Sequence, residues 1–263
     1  MSVNSIFRVP VLTGRVWKVW RRNKDVFMKT YKVNFIPPFI EPLLYLFALG
    51  FGLGLYVGGF DGISYAAYIA PALIAISSMY SAFFECTYAS YVRMYYQKTF
   101  DAIITTPLTI DEVIGGELLW GATKSMINCS IILLVISIFG LTDLRWAILT
   151  IPFSFLSGIL FSALAMCFTA IVPSIDAFNY PAYLLITPMF LFSGTFFPIT
   201  TLPTAVRIIA EALLPLTHVV RILRGLTLGN VGWEMLYSLI WIIVVSMALF
   251  ILSINLMRKR LII

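Results

Sequence analysis

Residues 65–92 form an almost uncharged run in which Glu85 is the single ionisable side chain other than tyrosine and cysteine. About 20 apolar residues in a helix suffice to cross a bilayer, and a helix that is apolar all round has to be buried in protein or in lipid. Five further stretches read the same way: 35–57, 118–140, 146–172, 180–197 and 233–256. With 60% hydrophobic and 11% charged residues, the chain departs from soluble domains, whose charged share is near a quarter. Six such helices fill most of its 263 residues. The fold expected is an all-α membrane protein of six spans with one transmembrane domain over 35–257. Residues 1–34 are expected as a cytoplasmic amphipathic segment and 258–263 as a cytoplasmic tail.

Orientation follows from charge. Arg8, Arg15, Lys18, Arg21, Arg22, Lys24, Lys29 and Lys32 stand against one acid, Asp25, with Trp17, Trp20, Phe27 and Tyr31 among them. That is the composition of a basic helix lying among lipid headgroups. Directly before a span, it points to lipid and not to nucleic acid. It lacks the apolar core of a signal peptide and is expected to stay in the mature protein. The other end closes on Arg258-Lys259-Arg260. Both termini are therefore expected in the cytoplasm, as an even number of spans requires. The loop at 59–64 has no Lys or Arg, as an outer loop should, whereas Arg207, Arg221 and Arg224 run against the rule.

Segment 93–117 is the sizeable polar break between the two basic ends, with Arg93, Lys98, Asp101, Asp111, Glu112 and Glu117. Phe100, Ile103 and Ile104 have helical spacing, so a short helix over 97–105 gathers them on one face beside a Lys98–Asp101 pair. Pro107 disfavours the α conformation at Thr106 and stops it. Thr109 and Glu112 then read as a capping box that starts a new helix. An exposed corner at the membrane surface is predicted. Segment 198–232 is broken by Pro198, Pro203 and Pro215 yet remains apolar, and is expected to form paired re-entrant or interfacial helices on the outer side.

Inside the spans, Gly50, Gly54 and Gly58 make a ridge at i+4 spacing that admits another helix, of this chain or of a partner. Tyr80, Phe84, Tyr88, Tyr91 and Tyr95 fall on one helical stripe, a core or interfacial belt or else the lining of a path. Glu85 beside them needs a partner, a proton or water. Lys124 is a candidate to snorkel or to pair with Glu85 or Glu117. Glu41 sits in a first helical turn, where the dipole favours an acid. The string 121–125 lacks the glycine of a phosphate loop, so no nucleotide site is expected. Cys86, Cys129 and Cys167 read as small buried hydrophobes, and the lone His218 as a structural hydrogen-bonding residue. Neither a metal site nor a catalytic constellation is present.

Taken together, EPLLYLFALGFGLGLYVGG (41–59), FECTYASYVRM (84–94), FDAIITTPLTIDEVIGGELLWGATKS (100–125), LFSGTFFPITTLP (191–203) and LPLTHVVRILRG (214–225) resemble the ABC type-2 exporter permeases. The likeness is to those that export lipo-oligosaccharides and, more distantly, O-antigen, capsule and drugs. The resemblance implies a homodimer in a bacterial inner membrane, bound to two cytoplasmic ATPase subunits that use ATP and Mg, while this chain binds no cofactor itself. It implies a coupling helix over 98–108, with Lys98, Phe100, Asp101, Ile103, Ile104, Thr106, Pro107 and Leu108 as the docking residues. It implies a dimer seam or packing face at Gly50, Gly54 and Gly58, and an outer gate at Phe196, Phe197, Pro198 and His218. A path along Tyr80, Phe84, Glu85, Tyr88, Tyr91 and Tyr95 for an amphipathic substrate fits that picture. The rival expectation is a proton-coupled transporter or channel using Glu41 or Glu85.

Overall fold

The structure is a computed structural model that describes residues 8–31, 40–57, 59–60 and 62–262. Gly58 of the expected ridge lies outside the described residues, as do the start of the first expected span and Lys32.

In chain order, α1 (Val16–Lys29) precedes α2 (Ile40–Val57), the hairpin β1 (Gly59–Phe60) and β2 (Ile63–Ser64), and α3 (Tyr65–Tyr96). Then come α4 (Thr99–Ile104), α5 (Ile110–Ile138), α6 (Leu144–Ala147), α7 (Thr150–Ile171), and α8, a helical run over 179–192. The chain ends in α9 (Thr204–Leu213), α10 (Pro215–Leu228) and α11 (Trp233–Leu261).

Among the described residues five helices, α2, α3, α5, α7 and α11, are long and apolar enough to cross a membrane. The stretch expected as a span over 180–197 is shorter. Pro181 and Pro188 each remove a backbone donor, the turns between them loosen into a π-helical segment over Ala182–Ile186, and the helix stops at Phe192. At Gly194 the backbone enters the left-handed region (φ +72°), where a side chain is costly. Segment 198–232 becomes the exposed amphipathic α9 and the buried α10, parted at Leu214 before Pro215.

α7 is the centre of the bundle, packed by α11, α5 and α3. Ile74, Met79, Phe83, Ile114, Leu118, Ile132 and Phe161 are fully enclosed between these helices. α5 and α7 cross closely because the residues there are small: a Cβ at Gly158 would stand 2.7 Å from Ala122 Cα, and Gly121 faces Ser162. The 121–125 string is thus a helix crossing. α2 lies at the edge, mostly exposed, and touches the bundle through α3. Cβ atoms at Gly50 and Gly54 would stand 3.3 Å from Ala66 Cβ and 3.5 Å from Tyr65 Cβ, so the described part of the ridge packs within this chain.

The two ends of the bundle differ. At the basic end Asn255 donates to Arg8 O (2.9 Å), Arg258 reaches Asp111 (3.1 Å), Val11 N–H also donates to Asp111 (3.0 Å) and Arg260 donates to Val172 O (2.7 Å). At the hairpin end Tyr68 and Arg224 both donate to Gly194 O (3.2 and 2.8 Å), and Asp143 N–H donates to Thr227 O (2.7 Å). Arg207 and Arg221, which break the charge rule, are both paired with Glu211 (3.5 and 3.1 Å).

Candidate functional site

α1 docks on α5 through Val16, Val19, Asn23 and Phe27, one helical face of an otherwise basic segment. Its close approach requires Gly116, where a Cβ would stand 2.5 Å from Val19 Cβ. Trp20 Nε1 donates to Thr123 Oγ1 (2.9 Å), and Phe27 meets Trp120 edge-on at 5.5 Å. Beside this seam, α1, α2, α3 and α5 border an open cavity of about 920 Å³. Its walls carry Phe27, Tyr45, Tyr80, Phe84, Tyr88 and Trp120, and its polar lining includes Arg22, Asn23, Glu41, Glu85, Arg93 and Lys124.

The aromatic stripe divides. Tyr80 and Phe84 stack nearly parallel at 5.6 Å and line the cavity with Tyr88 and Glu85. Tyr91 is buried and donates to Pro173 O (2.9 Å), while Tyr95 stacks on it at 5.6 Å and faces out. The spacing predicts one stripe only if the helix is α throughout. π-helical turns at Glu85–Ala89 and Val92–Tyr96 insert extra residues and rotate the lower tyrosines away.

The polar lining belongs to an ionic cluster assembled from three helices, with Glu117 and Ser90 behind it. Glu85 accepts from Lys124 (2.9 Å) and pairs with Arg93 (2.8 Å). Arg93 also donates to Glu117 (3.0 Å), which accepts from Asn23 (2.9 Å) and Ser90 (2.8 Å). Glu117 is completely enclosed, and Glu85 is 6% exposed. A carboxylate at this depth is tolerable only because each oxygen has a partner. Glu41 is exposed on the α2 wall. Burial pushes the Arg22 guanidinium below its ordinary value, opposed by the charge of Glu117.

The polar break is less exposed than its composition predicts. Arg93 and Glu117 belong to the cluster, Asp111 to Arg258, and Glu112 accepts from Thr13 while completing the capping box with Thr109. Lys98 and Asp101 remain on the surface, 3.9 Å apart. In α4, Phe100 is fully enclosed and Ile103 and Ile104 pack on the core, so the apolar face of the corner turns inward. What α4 presents is Asp101, Ala102, Thr105, Thr106 and Pro107, with Leu108 half-buried. Arg15 donates to Pro107 O (2.7 Å), and a hollow of about 370 Å³ lies between Arg15, Lys18 and Thr106, Pro107 and Leu108.

At the hairpin end, Phe196, Phe197 and Pro198 are half-buried, with Phe196 against Phe190 at 5.0 Å. His218 belongs to a separate cluster: it donates to Glu211 O (2.9 Å), accepts from Ser238 (3.2 Å) and stacks on Trp241 at 4.3 Å. Burial holds its pKa below the ordinary imidazole value. The three cysteines are free and buried, and among the described residues no cluster of His, Cys, Asp and Glu can hold a metal ion.

Long apolar helices packed on α7, with a cleft of aromatic walls and charged floor at their side, define a multi-pass membrane protein. Residues 14–228 match the ABC-2 type transporter family, and the chain belongs to that family. It is 38% identical over 247 residues to "Nodulation protein J" of Rhizobium leguminosarum bv. viciae, covering 92% of this chain and 93% of the relative. Against "Nodulation protein J" of Rhizobium meliloti (strain 1021) the identity is 37% over 225 residues, 84% and 86% of the two chains. "Inner membrane transport permease YadH" of Escherichia coli (strain K12) is similar at 23% over 216 residues, 81% and 82%. The chain is accordingly a non-enzymatic transport component of the bacterial inner membrane.

Proposed function

We propose that this chain is the membrane half of an ATP-driven exporter. It moves an amphipathic substrate, a lipo-oligosaccharide, lipid-linked glycan or drug-like lipid, out of the cytoplasm or inner leaflet by alternating access. Two copies pair in the membrane, and two cytoplasmic ATPase subunits hold the ATP and Mg and dock on α4. Six crossings, with α8 as the short fifth and α9 and α10 as an outer re-entrant pair, keep both termini in the cytoplasm. The carrying observation is the cavity at the basic end, aromatic on its walls and charged on its floor, connected through α3 to the exposed α4 corner.

The test is co-purification of the full chain with its cognate ATPase. Phe100 is enclosed, so a charge there disrupts the fold before it disrupts docking. Asp101→Arg combined with Thr105→Arg changes only exposed positions. It should abolish co-purification and substrate-stimulated ATP hydrolysis while the permease melts as before. Undiminished co-purification rejects α4 as the docking element. The proton-coupled alternative requires Glu85 to release and rebind a proton, yet Glu85 is held by two cations. Transport that continues without ATP and collapses with the proton gradient would favour it.

A further inference from the structure

Six charged side chains stand at or behind the cavity: Arg22, Arg93, Lys124, Glu41, Glu85 and Glu117. Glu85 and Glu117 are both engaged by Arg93, and Glu85 also by Lys124. Arg22 is left over. Its Nη2 donates to the Asn23 side-chain carbonyl (2.9 Å), and its Nη1 is enclosed with no hydrogen-bond partner among the described residues. The other carboxylate of the lining, Glu41, is exposed on the opposite wall and forms no ion pair among the described residues. A guanidinium that forms no ion pair of its own among the described residues is free to take an anion, and it binds phosphate, sulfate or carboxylate oxygens in a forked geometry. Phe27, Tyr45, Tyr80, Phe84, Tyr88 and Trp120 supply faces for an apolar portion of the same ligand.

We propose that the cavity takes an anionic amphiphile, whose phosphate, sulfate or carboxylate group pairs with Arg22 while its apolar part lies on the aromatic walls. This rests on reading the cavity as the substrate site, and deepens that reading by assigning the substrate a negative charge. Arg22 is the specificity residue, and Lys124 is the neighbouring cation held in place by Glu85. The Arg93 pairs form the fixed floor.

Binding of dioctanoyl phosphatidic acid, dioctanoylglycerol and inorganic phosphate to the purified full chain in maltoside micelles tests this without ATP or ATPase. It therefore stays readable even if the docking assignment fails. Phosphatidic acid should bind saturably, dioctanoylglycerol at least about tenfold more weakly, and inorganic phosphate should not compete at equal concentration. Arg22→Gln should weaken phosphatidic acid about tenfold or more, and Arg22→Lys less. Arg21→Gln and Lys29→Gln remove the same charge from exposed positions of α1 and should change little. Equal binding of dioctanoylglycerol would overturn the proposal. So would competition by phosphate alone, which would mark a site for the free anion, or an Arg21→Gln effect as large as that of Arg22→Gln. Should Arg22→Gln fail to fold, the comparison of ligands on the native chain and on Arg22→Lys decides the same question.

Discussion

Glu117 is the side chain through which the polar break turns inward. It joins α1, α3 and α5 through Asn23, Ser90 and Arg93, and no part of it is exposed. Glu117→Leu removes the carboxylate and leaves Arg93 with Glu85 alone, a loss worth roughly 3–5 kcal/mol for a buried pair broken on one side. Glu117→Gln retains an acceptor for Asn23 and should cost less. Melting of the detergent-solubilised chain should rank native above Gln above Leu, and equal Tm values would contradict the role assigned to the cluster. His218 gives a pH-dependent counterpart. Burial chiefly lowers its folded pKa, Arg221 adds to that, and its bond to Glu211 O opposes it. The unfolded chain binds a proton near the ordinary imidazole pKa while the folded one resists, so this contribution is present above that pH and is lost as pH falls below it. His218→Gln should flatten the decline in Tm between about pH 7 and pH 5 relative to the native chain. The sequence states plainly that Glu85 needs a partner and offers Lys124. It does not disclose Arg93–Glu117, because that pair depends on how two helices are rotated against each other.

Among the elements, those with local causes are the legible ones. Pro107 ends α4, Thr109 and Glu112 start α5, and the predicted corner stands where these residues put it. The stripe of Tyr80 to Tyr95 is misjudged below Tyr88 because a 3.6-residue period cannot register the π turns of α3. The basic segment is read as a helix on lipid, and the signal for its docking is modest: Asn23 in line with Val16, Val19 and Phe27, and the Gly115-Gly116 pair opposite. Gly116→Leu places a side chain where Val19 already stands, at a cost of about 1–3 kcal/mol. α1 should lift, loosening the Asn23–Glu117 bond and one wall of the cavity. Trypsin should then cut at Arg21, Arg22 and Lys24 faster in this variant than in the native chain. Gly14→Ala, with nothing within 4 Å of the added carbon, should cut at the native rate. Equal rates in all three would mean that α1 is not held through Gly116.

For the whole molecule, the number of crossings is decided by how the chain passes from Pro173 to Gly194. Pro173 is bonded by Tyr91 and Val172 by Arg260, both at the basic end, whereas Gly194 is bonded by Tyr68 and Arg224 at the hairpin end. The stretch between them travels the thickness of the bundle, yet α8 over 179–192 is only about 21 Å long at 1.5 Å per residue, against about 30 Å of hydrocarbon. On the six-crossing proposal, local thinning of the bilayer and the bent Ser193–Pro198 segment, tied to α3 and α10 through Tyr68 and Arg224, would make up the difference. Single cysteines read the path directly, since Cys86, Cys129 and Cys167 are buried and give a silent background. Thr106→Cys, Asp176→Cys and Lys259→Cys should resist a membrane-impermeant maleimide in intact cells and react in inverted vesicles. Thr201→Cys and Trp233→Cys should do the reverse. If Asp176 and Thr201 label from the same side, α8 is a loop and the chain has five crossings. An odd number would put Thr106 and Lys259 on opposite sides, against the bonds that tie Asp111 to Arg258.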